Sequence, residues 1–127
     1  MAGYRDLKVW QCAVNLAEQV YEASEHWPKF EQFGMTSQVR RAAVSVPANI
    51  AEGQGRSGRK EFRHHLSIAY GSLCELETIV TLARMRRYCN EPTELALQSA
   101  SGEVARLLKG LMRSLEAGTP SQEQSDN

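Results

Sequence analysis

The apolar residues of this chain recur at intervals of three and four positions, which is the spacing of one face of an α-helix. The longest stripe alternates steps of four and three residues through Phe62, Leu66, Ala69, Leu73, Leu76, Val80 and Ala83. A sustained heptad stripe predicts a long helix that packs at the shallow crossing angle of helix bundles. A looser stripe runs from Leu97 to Leu115. No stretch alternates with period two over the length of a strand, so the pattern predicts an all-α protein.

Glycine, proline and polar residues divide this pattern into four predicted helices, at about residues 7–26, 36–52, 59–88 and 90–118. Asp6 and Thr36 are candidate N-caps of the first two helices, because a short polar side chain there can accept a free backbone N–H. Pro47 removes a hydrogen bond in mid-helix and predicts a kink in the second helix. Short connections favour an antiparallel up-down-up-down four-helix bundle. Residues 1–118 are expected to form this one domain, and residues 119–127 a disordered polar tail.

The second helix carries more apolar surface than a single bundle requires. One of its faces is formed by Val39, Ala42, Ala43, Val46 and Ile50. A second apolar face is formed by Val44, Pro47, Ala48 and Ala51. Small apolar residues let another backbone approach closely, so this second face is predicted to be the interface of a homo-oligomer. The alternative is a helix that is buried on both faces within a compact monomer.

The charge of the chain is zero in sum but uneven along the sequence. Between Thr36 and Arg63 there are six basic residues and two acidic ones, a local charge of +4. The six are Arg40, Arg41, Arg56, Arg59, Lys60 and Arg63. Four of them surround the predicted start of the third helix, where free N–H groups and the helix dipole attract anions. The segment therefore predicts a site for phosphates of RNA or DNA, and a solvated basic face is the alternative.

The motifs that could indicate catalysis or metal binding lack the context that they require. Gly53–Gly58 spells G-x-G-x-x-G, but it follows a predicted helix, whereas a dinucleotide site requires a preceding strand. Glu61 and His64 form a single E-x-x-H pair, whereas a di-iron bundle uses two pairs. No serine lies in a G-x-S-x-G or S-x-x-K motif. We therefore predict a protein that is not an enzyme and has neither a metal site nor a cofactor.

Cysteine usage and hydropathy bear on the location of the protein. Cys12, Cys74 and Cys89 include no C-x-x-C pair, and each lies in a helical pattern, so they are expected to be small buried hydrophobes. The chain opens with a polar segment rather than a signal peptide. No uninterrupted apolar stretch approaches the ~18 residues of a membrane span. We expect a cytoplasmic protein with no membrane partner.

Three long motifs carry a family resemblance. They are YRDLKVWQ at residues 4–11, TSQVRRAAVSVPANIAEG at 36–53 and KEFRHHLSIAYGSLCELET at 60–78. They resemble the bacterial four-helix-bundle proteins whose founding members are encoded in intervening sequences of 23S ribosomal RNA genes. The resemblance implies a homopentamer. It also implies kinship with accessory proteins of diversity-generating reverse transcriptases, in which a basic pentamer binds nucleic acid and the polymerase.

Two functions are compatible with these features. The first is a non-enzymatic oligomer that binds nucleic-acid backbone, RNA in particular, through the six cations between Arg40 and Arg63. The second is a scaffold or adaptor that binds a protein partner and no nucleic acid. In that case the cations solvate the surface or form ion pairs between protomers.

Overall fold

The computed structural model describes residues 3–56 and 58–117, and this part of the chain forms four α-helices without a strand. The helices are α1 (Lys8–Ser24), α2 (Met35–Gln54), α3 (Arg59–Met85) and α4 (Glu91–Ala117). Single 3-10 turns, Tyr4–Asp6 and Lys29–Glu31, precede α1 and α2. The all-α prediction is confirmed. The predicted tail, 119–127, lies outside the described residues.

Each helix packs against two others, α1 and α3 both contacting α2 and α4. The α3 stripe faces the middle of this arrangement, because Leu66, Ala69, Leu73, Leu76, Val80 and Ala83 are all buried. Phe62, at the start of the stripe, is half-buried and packs against the same core. The heptad spacing thus identified the core face of α3.

The core face of α4 differs from the predicted stripe by one residue position. Val104 and Leu108 are fully buried, whereas Leu107 is only partly covered. Ser101 is also fully buried, and its hydroxyl donates to Glu77 Oε2 of α3 at 2.6 Å. A hydrogen-bonded hydroxyl can be buried at little cost. A search for apolar residues alone therefore overlooked this position.

The two candidate N-caps are not caps in the structure. Asp6 belongs to the 3-10 turn, and neither α1 nor α2 has a side-chain cap at its N-cap residue. Thr36 lies inside α2 and is buried. The backbone N–H of Met35 instead donates to Glu31 Oε1 at 3.0 Å, and the Tyr88 hydroxyl donates to Glu31 Oε2 at 2.8 Å. One carboxylate thus connects the start of α2 to the segment that follows α3.

The third helix ends three residues before the predicted boundary. The Tyr88 N–H donates to the Ala83 carbonyl at 2.8 Å and the Arg87 N–H to the Arg84 carbonyl at 3.0 Å. These are the two hydrogen bonds of a Schellman motif. Arg87 occupies its left-handed position with φ of 66°, a conformation that favours glycine.

Gly53 lies inside α2 rather than in a loop. A Cβ at this position would lie 2.7 Å from the His65 Cβ and 3.0 Å from the ring of Phe62, so only glycine allows α2 to come this close to α3. The connection between the two helices is correspondingly shorter than predicted. It ends at Gly58, whose φ of 104° requires glycine.

One expectation based on composition, the burial of Cys74, is wrong, and the hydropathy of α3 bears on another. By length and composition alone, α3 is apolar enough to cross a membrane, and 39% of the qualifying window is buried. The buried core stripe accounts for this apolar character, as it does in many core helices. Cys74 is exposed rather than buried, whereas Cys12 and Cys89 are half-buried against the core. Burial raises the pKa of the Cys89 thiol.

The substitution Gly53→Ala tests the close approach of α2 and α3. We expect it to lower the free energy of unfolding by about 1–3 kcal/mol, the usual cost of forcing a methyl group into a packed contact. The matched control is Gly71→Ala, because a Cβ on this helical glycine meets nothing within 4 Å. The control should gain about 0.5–1 kcal/mol from helix propensity. Urea unfolding at one protein concentration measures both changes, and equal stabilities would contradict the close approach.

The carboxylate of Glu31 makes stability depend on pH. The Met35 N–H and then the Tyr88 hydroxyl hold the pKa of Glu31 below its ordinary value of 4.5. A lowered pKa contributes stability above the unfolded-state pKa, and this contribution is lost as the pH falls through the folded-state pKa. The substitution Glu31→Gln should therefore lower the Tm at neutral pH, and the difference from the natural chain should shrink below a pH of about 4.5.

Thermal unfolding across this pH range measures the effect of Glu31. The matched control is Glu18→Gln, since Glu18 is exposed on α1 and has neither a hydrogen bond nor an ion pair within residues 3–56 and 58–117. Its substitution should leave the Tm nearly unchanged. A Tm difference for Glu31→Gln that stays constant from neutral to acidic pH would show that the charge of Glu31 does not matter.

Candidate nucleic-acid interface

The structure divides the six predicted cations between two places. Arg40 and Arg41 lie in the first half of α2, whereas Arg56, Arg59, Lys60 and Arg63 lie beyond its far end and at the start of α3. Arg40 and Gln54 are fourteen positions apart in α2, which is about 21 Å along the helix axis. A contiguous stretch of sequence therefore does not become one contiguous site.

Arg40 is engaged in packing α2 onto α1. Its Nε donates to Ser24 Oγ at 2.8 Å, and its Nη2 donates to the Tyr21 carbonyl at 3.3 Å. The guanidinium carbon also lies 4.6 Å from the centroid of the Tyr21 ring. Arg41 is more exposed and donates to Ser37 Oγ at 3.1 Å. The contacts of Arg40 are those of a structural residue.

Arg56 has an acidic partner on the preceding turn of α2. Its Nη2 lies 2.7 Å from Glu52 Oε2, and both side chains are about half exposed. The hydrogen bond from Arg56 is the main cause that lowers the pKa of Glu52, and the charge of His65 adds to it. The same contact raises the pKa of Arg56. A phosphate approaching Arg56 would have to compete with this carboxylate.

Lys60 and Arg63 line a groove between α3 and α4. The groove has a volume of about 580 Å³, and α4 contributes Lys109, Met112 and Arg113 to it. A second hollow of about 440 Å³ continues along the same helix pair and shares Lys109 and Arg113 with the first. The two form one continuous depression, because they have lining residues in common.

We call this depression the basic groove and define it by its five cations, Lys60, Arg63, Arg106, Lys109 and Arg113. Two of them have acidic partners: Arg63 lies 3.4 Å from Glu116 Oε2, and Arg106 lies 2.6 Å from Glu103 Oε1. Lys60, Lys109 and Arg113 form no ion pair within the described residues. The basic groove therefore keeps an excess of three positive charges.

The floor of the basic groove is aromatic and apolar. Tyr70 of α3 lines both hollows, together with Met112 in the first and Ala105 in the second. Lys109 Nζ lies 4.6 Å from the centroid of the Tyr70 ring. Cationic walls around an aromatic floor can bind both the phosphates and the bases of a polynucleotide.

Sequence reasoning missed three of the five cations and the aromatic floor. Arg106, Lys109 and Arg113 are spaced by three and four residues, so helical periodicity places them on one face of α4. That spacing alone cannot distinguish a solvated face from a binding face. The tertiary structure favours a binding face, because the packing of α4 on α3 places Lys60 and Arg63 beside these cations.

A polar seam joins α2 and α3 away from the basic groove. Ser72 Oγ donates to Ser45 Oγ at 2.8 Å, and Asn49 Nδ2 donates to the same hydroxyl at 3.1 Å and to the Ser45 carbonyl at 2.9 Å. His65 Nδ1 lies 3.1 Å from Asn49 Oδ1. The amide nitrogen of Asn49 donates to Ser45, so the atom of Asn49 that faces His65 is the amide oxygen, which can only accept. The hydrogen bond between the two residues therefore requires the proton on Nδ1 of His65. Such a seam favours one register of the two helices.

The residues of the predicted oligomer interface are not all on the surface. Val44 is 46% exposed, Ala48 is also exposed and Ala51 is half-buried. Pro47 is buried within the chain itself, which removes it from the predicted interface. The reason is that Pro47 faces the core-side half of α2, next to Val46.

Exposed apolar side chains of other elements lie close to Val44. A shallow hollow of about 630 Å³ is lined by Val44 together with Tyr21, Phe33 and Arg41. Phe33 is 91% exposed and Tyr21 40%. We call Tyr21, Phe33, Val44 and Ala48 the apolar face. It lies on the α1–α2 side of the molecule, whereas the basic groove lies between α3 and α4.

Within the described residues, no three His, Cys, Asp or Glu side chains are grouped in a way that could hold a metal ion. His64 and His65 are neighbours, with ring centroids 5.8 Å apart. Only His64 lines the basic groove, whereas His65 belongs to the polar seam.

The fold and site together define an all-helical, four-helix protein with a basic groove between its last two helices. Residues 5–110 match the family model described as 23S rRNA-intervening sequence protein. The chain belongs to this family, as the three sequence motifs predicted. No curated protein matches the chain.

A solved structure supports the fold. It is a crystal structure of a protein of unknown function from the S23 ribosomal protein family of Bacteroides thetaiotaomicron. The two chains are 23% identical, with a TM-score of 0.74, and the match covers 82% of this chain and 97% of the other. The similarity shows a shared four-helix fold.

Proposed function

We propose that this protein binds the phosphate backbone of nucleic acid through the basic groove. The observation that carries the proposal is the convergence of five cations from two helices in a chain whose net charge is zero. Phosphate contacts by lysine and arginine release counterions, which supplies most of the free energy of sequence-independent binding. The family is named for the intervening sequence of 23S rRNA, so RNA is the first nucleic acid to test.

The zero net charge of the chain is compatible with this proposal, because electrostatic attraction is local at physiological salt. The Debye length is about 8 Å under those conditions. Neighbouring helix axes are already about 8–10 Å apart. Acidic side chains on the outer sides of α1 and α2 are therefore largely screened from a phosphate in the basic groove.

The proposal modifies the ligand set expected from the sequence. Lys60 and Arg63 remain, and Arg106, Lys109 and Arg113 join them. Arg40 is assigned to helix packing. Arg56 and Arg59 lie near one end of the groove, where they can extend the field that attracts a polyanion.

We also propose that the protein acts as a homo-oligomer assembled through the apolar face. Phe33 and Val44 are 91% and 46% exposed, and large apolar side chains grouped on a surface usually mark an interface. The family resemblance implies five copies. The apolar face and the basic groove lie on different sides of the protomer, so an assembly can leave every groove open and multiply the number of phosphate contacts.

The finer architecture is part of this proposal. Two ion pairs support an up-down-up-down order. Arg63 near the start of α3 pairs with Glu116 near the end of α4. Arg84 near the end of α3 pairs with Glu94 near the start of α4, so these two helices run antiparallel. A kink of α2 at Pro47 is expected, because proline has no N–H to donate. A scaffold that binds a protein partner through the apolar face, with no nucleic-acid ligand, is the second candidate function.

The triple variant Lys60→Glu, Lys109→Glu, Arg113→Glu tests nucleic-acid binding. These three cations form no ion pair within the described residues, so their reversal breaks no internal contact of that kind. We expect the variant to lose salt-dependent binding of a fluorescent RNA at about 10 μM protein, since non-specific affinities lie at ~10⁻⁴–10⁻⁶ M. Fluorescence anisotropy at low and physiological salt is the measurement.

A matched control carries the same charge change elsewhere. Lys8, Lys29 and Arg87 are exposed and lie outside the basic groove, so their replacement by Glu should leave most of the RNA affinity intact. Equal losses in the two triple variants would mean that net charge alone governs binding. Absence of any RNA binding by the natural chain would reject this function and leave the scaffold in its place.

Light scattering tests the assembly. We expect a mass of several times the 14.2 kDa of one chain, and about five times for a pentamer. The substitution Val44→Glu should shift the mass towards one chain, because it places an unpaired charge within an apolar interface. Leu95→Glu is the control, as Leu95 is 60% exposed on α4, away from the apolar face. A mass of one chain for the natural protein would contradict the assembly.

A further inference from the structure

The shape of the basic groove limits what can enter it. The groove lies between two packed helices, whose axes are typically about 8–10 Å apart. A double helix is wider than this, since its major groove alone is about 12 Å across. The outer phosphates of a duplex would reach the cations at the rim, but no part of it would reach Tyr70 on the floor.

The length of the groove suits a short stretch of single strand. Lys60 and Tyr70 are ten positions apart in α3, which is about 15 Å along the helix axis. At about 3.4 Å per nucleotide of a stacked strand, this length holds roughly four nucleotides. Cations stand on both sides of such a strand, with Lys60 and Arg63 on α3 and Lys109 and Arg113 on α4.

The floor offers a surface for a base. Tyr70 is half-buried, lines both hollows and presents one ring face to Lys109, whose Nζ lies 4.6 Å from the ring centroid. An exposed cation–π contact of this kind strengthens an equilibrium by a factor of about two to five. Stacking of a base on an aromatic side chain contributes a factor of about five to a hundred or more. A base therefore displaces Lys109, and the freed ammonium group can pair with a phosphate.

We infer that the ligand of the basic groove is a single-stranded polynucleotide, with one base stacked on Tyr70 and the flanking phosphates held by Lys60, Lys109 and Arg113. This inference rests on the proposed function and names the class of nucleic acid that it concerns. It assigns Tyr70 a binding role that the spacing of basic and aromatic residues along the sequence did not suggest. RNA and DNA share the chemistry involved, since both carry stacking bases and phosphates.

Anisotropy titrations with four probes test the class of ligand. The probes are oligouridine RNA of about 12 nucleotides, oligodeoxyuridine DNA of the same length, the RNA paired with its complement, and polyphosphate as a competitor without bases. We expect both single strands to bind at least about fivefold more tightly than the duplex. Polyphosphate should compete with the strands but show no dependence on Tyr70. A difference between the two strands would reveal a contribution of the ribose 2′-hydroxyl.

Variants of Tyr70 test the base contact. Tyr70→Phe keeps the ring and should bind like the natural chain, whereas Tyr70→Leu keeps an apolar floor without a ring and should weaken single-strand binding about five- to a hundredfold. Neither substitution should change duplex or polyphosphate binding. Thermal unfolding of Tyr70→Leu checks that the fold is retained, and a 2-aminopurine base in the strand reports stacking through its quenching.

A further variant separates the base contact from the phosphate contacts. Lys109→Met removes a cation and uncovers the Tyr70 ring, so the slope of log affinity against log salt should fall by about 0.7 while 2-aminopurine quenching persists. Loss of quenching in this variant would show that the base does not stack on Tyr70.

The outcomes of these experiments distinguish single-strand binding with stacking on Tyr70 from the proposed binding of phosphates by the basic groove. Equal affinities for single strand and duplex, or unchanged single-strand binding by Tyr70→Leu, would overturn the inference. The triple charge variant would still lose binding in either case, and the proposed function would stand. Loss of binding in Tyr70→Leu that also affects polyphosphate would likewise overturn the stacking role.

Discussion

The close approach of α2 and α3 at Gly53 is the constraint on which much of this molecule depends. With no side chain at Gly53, the α2 backbone can lie against His65 and Phe62 of α3. That contact brings Asn49 within hydrogen-bonding distance of His65, and the polar seam then continues to Ser72. These contacts fix the first half of α3 against α2. The rim and floor of the basic groove follow from it, because α3 supplies one of its two walls.

The charge distribution shows how one small protein can combine assembly with ligand binding. Cations that make structural contacts, such as Arg40 with Ser24 and Tyr21, are placed between helices and have partners there. Cations without an acidic partner in the described part of the chain, such as Lys109 and Arg113, line the outer side of α3 and α4. The apolar face lies on the α1–α2 side of the molecule. Separate faces allow an oligomer to bury one surface without covering the other.

The sequence predicted the helices well and their ends less well. Helical periodicity is a property of each segment, so the α3 stripe from Phe62 to Ala83 identified the core face directly. Helix ends depend on partners that are distant in the chain. The start of α2 is held by Glu31, which also binds Tyr88, 57 positions further on. Local capping preferences predicted Thr36 as the N-cap instead. Local sequence preferences also predicted a loop at Gly53, because they contain no information on the neighbouring helix.

The sequence by itself determined the all-α class, the core face of α3, the family and the presence of a basic segment. Each of these depends on residue type and spacing along one stretch of chain. Only the tertiary structure decided which cations act together. Arg40 and Lys60 are near one another in the sequence but belong to different sites, whereas Lys60 and Lys109 are far apart in the sequence and line one groove. Helix pairing brings residues that are distant in the sequence side by side. Along one helix, each residue is displaced by about 1.5 Å along the axis, so residues of one sequence segment can lie far apart.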